Sequence, residues 1–179
     1  MTSASVNRRT QRAMRQREQR SVVTAPAASN GALRISRRLL TRIEAHARQA
    51  YPEECCGILV GVRRGDGTLV TSAHPALNRS PDGKCDRYEL DPSAILRVAR
   101  ASERQGQQIV GFYHSHPDHP PAPSRTDAER AWEGYVYVIS GVAALGRVET
   151  RAWIYDDKSE KFSERPVRSA QKVARAPYG

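Results

Sequence analysis

The apolar residues of this chain switch repeatedly between helical and strand spacing, and that switching restricts the architecture more than any other feature of the sequence. Leu39, Leu40, Ile43 and Ala47 fall at helical spacing behind Ser36, with arginines on the opposite face. A helix capped by Ser36 and running through roughly Ala50 is expected, stopped by Pro52. Gly57-Ile58-Leu59-Val60-Gly61-Val62 is a short apolar run that reads as a buried strand. Arg64-Gly65-Asp66-Gly67 then turns the chain into a returning strand from Thr68 to Ala76. Pro81 and Gly83 break the loop from Asn78 to Lys84, and Arg87 to Leu90 has the pattern of a short strand. A second helix starts at Asp91 or Ser93, with Ile95, Leu96, Val98 and Ala99 inward, and ends near Gly106. Gln108 to Tyr113 is a strand, Pro117 to Pro123 a proline-rich loop, and Ser124 to Trp132 a short helix. Tyr135 to Ser140 and Arg147 to Tyr155 read as further strands, and Lys161 to Val167 as a last edge strand. Irregular interleaving of this kind favours an α/β fold, a single domain with a mixed central β-sheet and flanking helices.

The charge balance points first to nucleic acid, then away from it. The formal net charge is +10 over 179 residues, a length that suits one domain. Residues 1–30 hold six arginines against one glutamate, and residues 31–50 five against one. Nine of the ten excess charges thus precede residue 51, and the rest of the chain is nearly neutral. Residues 1–30 contain few large apolar side chains and are expected to form a disordered basic arm. Any nucleic-acid contact is expected through that arm alone. Its Arg-rich, acid-poor composition also matches a transit peptide. Residues 31–167 form the expected domain and 168–179 a C-terminal tail. No apolar run approaches the ~18 residues of a membrane span. Three cysteines without a secretory apolar segment suit a reducing, cytoplasmic location.

The chemistry concentrates in Gly111-Phe112-Tyr113-His114-Ser115-His116-Pro117 and Ser124-Arg125-Thr126-Asp127. His114 and His116 are two apart, so if the strand continues both imidazoles point to one side of the sheet. They can share a metal ion, with Asp127 at the next helix start available as a third ligand. Two histidines and a carboxylate leave a position for water, the arrangement of a catalytic rather than a structural zinc. The ion would lower the pKa of that water from about 15.7 to about 7. Ser124-x-x-Asp127 is equally a helix-capping box, in which Asp127 would bind backbone N–H instead of metal. His119, between Asp118 and Pro120, is read as a loop surface residue. His46 and His74 have no supporting ligand nearby in sequence. Cys55 and Cys56 are adjacent and Cys85 is distant, so no Cys-x-x-Cys zinc ribbon is possible. The deaminase pattern of His-x-Glu with Pro-Cys-x-x-Cys is absent, as is a glycine-rich phosphate loop.

His114-x-His116-Pro117, six residues, then Ser124-x-x-Asp127 resembles the motif of the JAMM, or MPN-plus, metalloproteases. Pro52-Glu53-Glu54-Cys55-Cys56-Gly57 resembles that family's Glu-x-Cys-Gly segment, with Glu54 aligned on its glutamate and Glu53 one residue early. The similarity covers roughly residues 33–167. It implies a single MPN (JAB)-type domain, cytidine-deaminase-like in architecture, holding one Zn2+ per chain. His114, His116 and Asp127 would be the metal ligands. Glu54 would act as general base and acid, and Ser124 would donate to the oxyanion.

The segments between elements are only loop-sized, so the ubiquitin-gripping insertions of the eukaryotic members are not expected. The sequence looks like the small prokaryotic branch, as do Asp86-Arg87-Tyr88-Glu89-Leu90-Asp91-Pro92 and Gly111-Phe112-Tyr113. That branch cleaves peptide or isopeptide bonds after the C-terminal Gly-Gly of ubiquitin-like or sulfur-carrier proteins. The carrier's tail would lie extended beside a strand near the metal. The alternative resemblance is to RadC-like JAB-domain proteins in DNA-related roles, with the arm binding nucleic acid. A metal-free MPN scaffold fits less well, because every ligand position is kept. The oligomeric state is not legible.

Overall fold

The structure is a computed structural model and describes residues 31–65, 67–80, 83, 85 and 87–170. The basic arm 1–30 and residues 171–179 of the expected tail lie outside the described residues, as do Asp66 and Pro81 of the expected turns. In chain order the elements are β1 (Leu33–Ile35), α1 (Arg37–Ala50), β2 (Cys56–Arg64), β3 (Gly67–Ala76), α2 (Pro92–Glu103) and β4 (Gln108–Pro117). They continue with α3 (Arg125–Arg130), β5 (Val136–Val142), β6 (Val148–Asp156), β7 (Lys161–Arg165) and β8 (Val167–Ser169). One mixed sheet holds all eight strands in the order β7-β6-β5-β4-β2-β3-β1-β8. Pairing is parallel at β4–β5, β3–β1 and β1–β8 and antiparallel elsewhere.

Each face of the sheet buries a helix. Ile43 and Ala47 of α1 pack with Leu59, Val70, Val110, Val136 and Val138. Ala94, Ile95 and Ala99 of α2 pack on the other face with Ile58, Val60, Phe112 and Tyr137. Alternation along the strands produces the split, since neighbours such as Ile58 and Leu59 enter opposite cores. Both caps fall where expected. The Ser36 hydroxyl accepts from Leu39 N at 3.3 Å, and Asp91 accepts from Ser93 N at 2.9 Å. Ser36→Ala is therefore expected to cost about 1 kcal/mol. Urea unfolding checks this, with the midpoint lowered and the slope unchanged.

Three expectations change. The sequence carries no signal for β1, which is three residues long and held by parallel pairing on both sides. Arg87 to Leu90 is not a strand; only Leu90 bridges, to Asn78. The Asn78 side chain takes over the pairing, donating to Arg87 O at 2.9 Å and accepting from Glu89 N at 3.1 Å. The single edge strand at 161–167 is two strands separated by Pro166. β7 pairs with β6 at one end of the sheet, and β8 pairs with β1 at the other. The sheet curls until its two ends share one segment of chain, and Leu33 N donates to Pro166 O at 3.0 Å at the junction. Regular structure accordingly runs past residue 167 to Ser169.

Candidate metal centre

β4 continues past Tyr113 to Pro117, so it carries both histidines. Phe112, His114 and His116 fall on one face by alternation, and Tyr113 and Ser115 on the other. His114 and His116 are buried at the end of β4, where the chain leaves the sheet for α3. The ends of strands beside a parallel crossover are a usual place for sites in α/β sheets. The antiparallel register Cys56↔His114 brings the α1–β2 loop to the same end. Two residues earlier, Glu54 lies beside His116, with Oε1 at 3.8 Å from its Nε2. Glu54 is buried and Glu53 exposed, so folding separates the two candidate acids.

Ser115 fixes that loop. Its hydroxyl accepts from Cys55 N at 2.9 Å, and its N–H donates to Cys55 O at 3.1 Å. Asn78 donates to Glu54 O at 3.2 Å. Neither contact was legible in the sequence, because each joins residues far apart in the chain. Tyr88 is the other contributor not foreseen: its ring stacks on His114 at 4.4 Å and 24°. It falls within the segment read as a strand, and nothing local signals its partner.

Asp127 is buried and completes the cluster. His114 Nε2 and His116 Nε2 are 3.1 Å apart. Asp127 Oδ1 lies 3.1 Å from His114 Nε2, and Oδ2 lies 3.3 Å from His116 Nε2. The capping box is present as well. Ser124 N and Oγ donate to Oδ2 at 2.7 and 2.6 Å, and Asp127 N donates to Ser124 Oγ at 3.1 Å. The two sequence readings of Asp127 are thus compatible: Oδ2 serves the cap while also lying near His116, and Oδ1 faces His114.

The donor set fits a divalent cation. His116 Nδ1 lies 3.3 Å from Pro120 O, which can only accept. A proton on Nδ1 leaves the Nε2 lone pair directed at the cluster, the tautomer that ligand histidines adopt. One atom from each of His114, His116 and Asp127 lies within 4.8 Å of the others, so the three could hold an ion. Electrostatics agree. Burial raises the Asp127 pKa, but the charge of His114 and the hydrogen bonds of His114, His116 and Ser124 outweigh it and hold the carboxyl well below its usual range. Burial lowers His116, but the hydrogen bond and charge of Asp127, with Glu54 and the Pro120 carbonyl, leave it above the ordinary imidazole value. An ionised Asp127 carboxylate beside two imidazoles favours a cation at this position.

The remaining candidates stand apart. His119 is exposed and outside the cluster. His46 Nδ1 pairs with the Tyr113 hydroxyl at 3.0 Å, and His74 Nε2 with the Ser72 hydroxyl at 2.9 Å. Cys55, Cys56 and Cys85 are all free. Burial pushes the Cys55 thiol up to about 11 and the Cys56 thiol up to about 12, so neither is a thiolate at neutral pH. Among the described residues, no helix is long and apolar enough to cross a membrane.

A curled mixed sheet between two helices, with a His-x-His strand end facing an aspartate cap, defines a JAB-type domain. Residues 36–155 match the family of prokaryotic homologs of the JAB domain, and the chain belongs to that family. It is 42% identical over 123 residues to a desampylase of Haloferax volcanii, covering 66% of this chain and 85% of that one. It is 34% identical over 130 residues to a CysO-cysteine peptidase of Mycobacterium tuberculosis, covering 72% and 85%. Its fold matches a solution structure of a Desulfitobacterium hafniense protein with a TM-score of 0.70 and 25% identity, covering 79% of this chain and 95% of that one.

Proposed function

We propose that this chain is a zinc-dependent hydrolase that cleaves the peptide or isopeptide bond following the C-terminal Gly-Gly of a ubiquitin-like or sulfur-carrier protein. The observation that carries the reading is the convergence of His114, His116 and Asp127 beside a buried Glu54, in a JAB-family chain. The relatives named desampylase and CysO-cysteine peptidase are its support on substrate class. Two imidazole nitrogens and one carboxylate oxygen are donors that zinc takes with a position left open. A zinc ion held there supplies Lewis acidity, activating water and polarising the scissile carbonyl.

The other roles belong to the chain's own residues. Glu54 takes the proton of the attacking water and delivers it to the leaving amine. Burial beside His116, with its backbone held through Asn78 and Cys55, keeps its carboxylate aimed at one place. Ser124 donates its hydroxyl to the developing oxyanion, which requires the proton now given to Asp127 Oδ2 to turn away. The domain is the JAB unit. The basic composition of residues 1–30 is read as that of an arm, and the free cysteines suit the cytoplasm.

The substrate class is tested with a carrier whose Gly-Gly is changed to Ala-Ala. Cleavage, followed by mass spectrometry, is expected to fall at least ~100-fold, because added side chains obstruct a narrow extended path to the reacting atoms. Unchanged cleavage would remove the Gly-Gly requirement from the proposal.

A further inference from the structure

The cleft in front of the cluster has a basic wall. Glu54, Tyr88, Ser124 and Asp127 line it together with Arg87 and Arg130. The two arginines come from different segments, the Asn78–Leu90 loop and the end of α3. Arg130 Nη1 donates to the backbone carbonyl of Tyr88 at 3.1 Å, which moors its guanidinium to the residue whose ring stacks on His114. That bond uses one of the five N–H donors of the guanidinium. Arg125, earlier on the same helix, is paired with Glu129 at 3.1 Å. No ion pair to a carboxylate is found for Arg130 among the described residues. The carboxylates of the cleft are Glu54 and Asp127. A divalent cation would offset both charges, leaving the Arg130 guanidinium as a cationic group on the cleft wall.

From this we infer that Arg130 is a specificity determinant that selects substrates presenting a carboxylate at the cleavage site. The inference rests on the carrier reading above and narrows it. Arg binds a carboxylate through two parallel hydrogen bonds, and such a pair is stronger and more directional than contact with a neutral group. The carboxylate has two possible sources: the free C-terminus of a residue attached after Gly-Gly, or an acidic side chain in the carrier tail before it. An isopeptide-linked lysine brings no free carboxylate of its own to the scissile bond. If the free C-terminus is the source, the enzyme favours release of a terminal residue over removal of a protein conjugate.

The test uses the full zinc-loaded chain with Glu54→Gln to prevent turnover. The probes are the peptides Val-Ala-Gly-Gly-Ala as free acid, the same peptide as C-terminal amide, and Val-Glu-Gly-Gly-Ala as amide. Binding is read by calorimetry, and KM is read separately with the Glu54 enzyme. The free acid is expected to bind about tenfold more tightly than its amide if the terminus is the source. The glutamate-containing amide gains that advantage if the tail is the source. Arg130→Gln keeps a donor for Tyr88 O but no charge, so it should abolish the preference at unchanged zinc content and melting temperature. Arg130→Lys should restore part of it. Equal binding of all three peptides, or a preference that survives Arg130→Gln, overturns this inference alone. Failure of every peptide to bind and to be cleaved overturns the carrier reading and this inference with it.

Discussion

Glu54→Gln is expected to reduce turnover by ~10²–10⁴-fold, toward the upper end of what one acid–base group supplies, because Glu54 is assigned both proton transfers. The amide has the shape of the carboxylate and can keep its place beside His116, but it cannot accept and release the proton. Zinc content and melting temperature should stay close to wild type, since Glu54 is not part of the three-residue cluster. The β2–β4 register determines which acid is involved. Cys56 pairs with His114, which carries Glu54 toward His116 and leaves Glu53 exposed. Glu53→Gln should therefore retain turnover within about twofold, as is usual for exposed surface positions. A Glu54→Gln enzyme of near-normal rate with bound zinc would transfer the base to another group.

The second large effect is expected on the metal. His116→Ala removes the proposed ligand whose ring nitrogen faces Pro120 O and leaves His114 and Asp127 as the remaining pair. Metal affinity should fall by more than the roughly 10–100-fold that loss of an outer-shell partner costs. Wild-type protein stripped by a chelator should regain activity on adding zinc, whereas the variant should stay inactive at the same zinc concentration. The stripped forms also differ in stability, with a definite pH dependence. Asp127 has its folded pKa depressed, so its contribution is present above the ordinary carboxylate value of 3.8 and lost as pH falls through the folded value. His116 has its folded pKa raised, so its contribution is present below 6.5 and lost as pH rises through the folded value. The difference in melting temperature between stripped wild type and stripped His116→Ala should be largest between these limits and shrink on both sides. A difference independent of pH would mean that the His116–Asp127 pairing contributes nothing to it.

What the sequence made legible follows from period and proximity. The two histidines could be placed on one side of a strand because strand alternation is a local rule. Ser124 and Asp127 could be read together because a cap spans three residues. The unread features depend on partners distant in the chain. β1 is too short for any period, and its stability comes from β3 and β8 on either side. Ser115 lies between the two histidines with no local signal of its partner, yet its hydroxyl and N–H grip Cys55 across the sheet. Tyr88 and Arg130 belong to segments that touch only in the folded state. Arg87 to Leu90 resembled a strand until Asn78 supplied the bonds a neighbouring strand would have made.

The segment shared by the two ends of the sheet also has a consequence for how the protein is made. Of the described strands β1 is the first to emerge from the ribosome, but β8, one of its two partners, is the last. Residues 33–160 can assemble helices and inner hairpins during synthesis, yet both terminal strands of that assembly stay exposed until Ser169 is clear of the exit tunnel. The native state is therefore completed after nearly the whole domain has been translated. Until then the growing chain presents open strand edges, which are the surfaces that chaperones and neighbouring nascent chains engage.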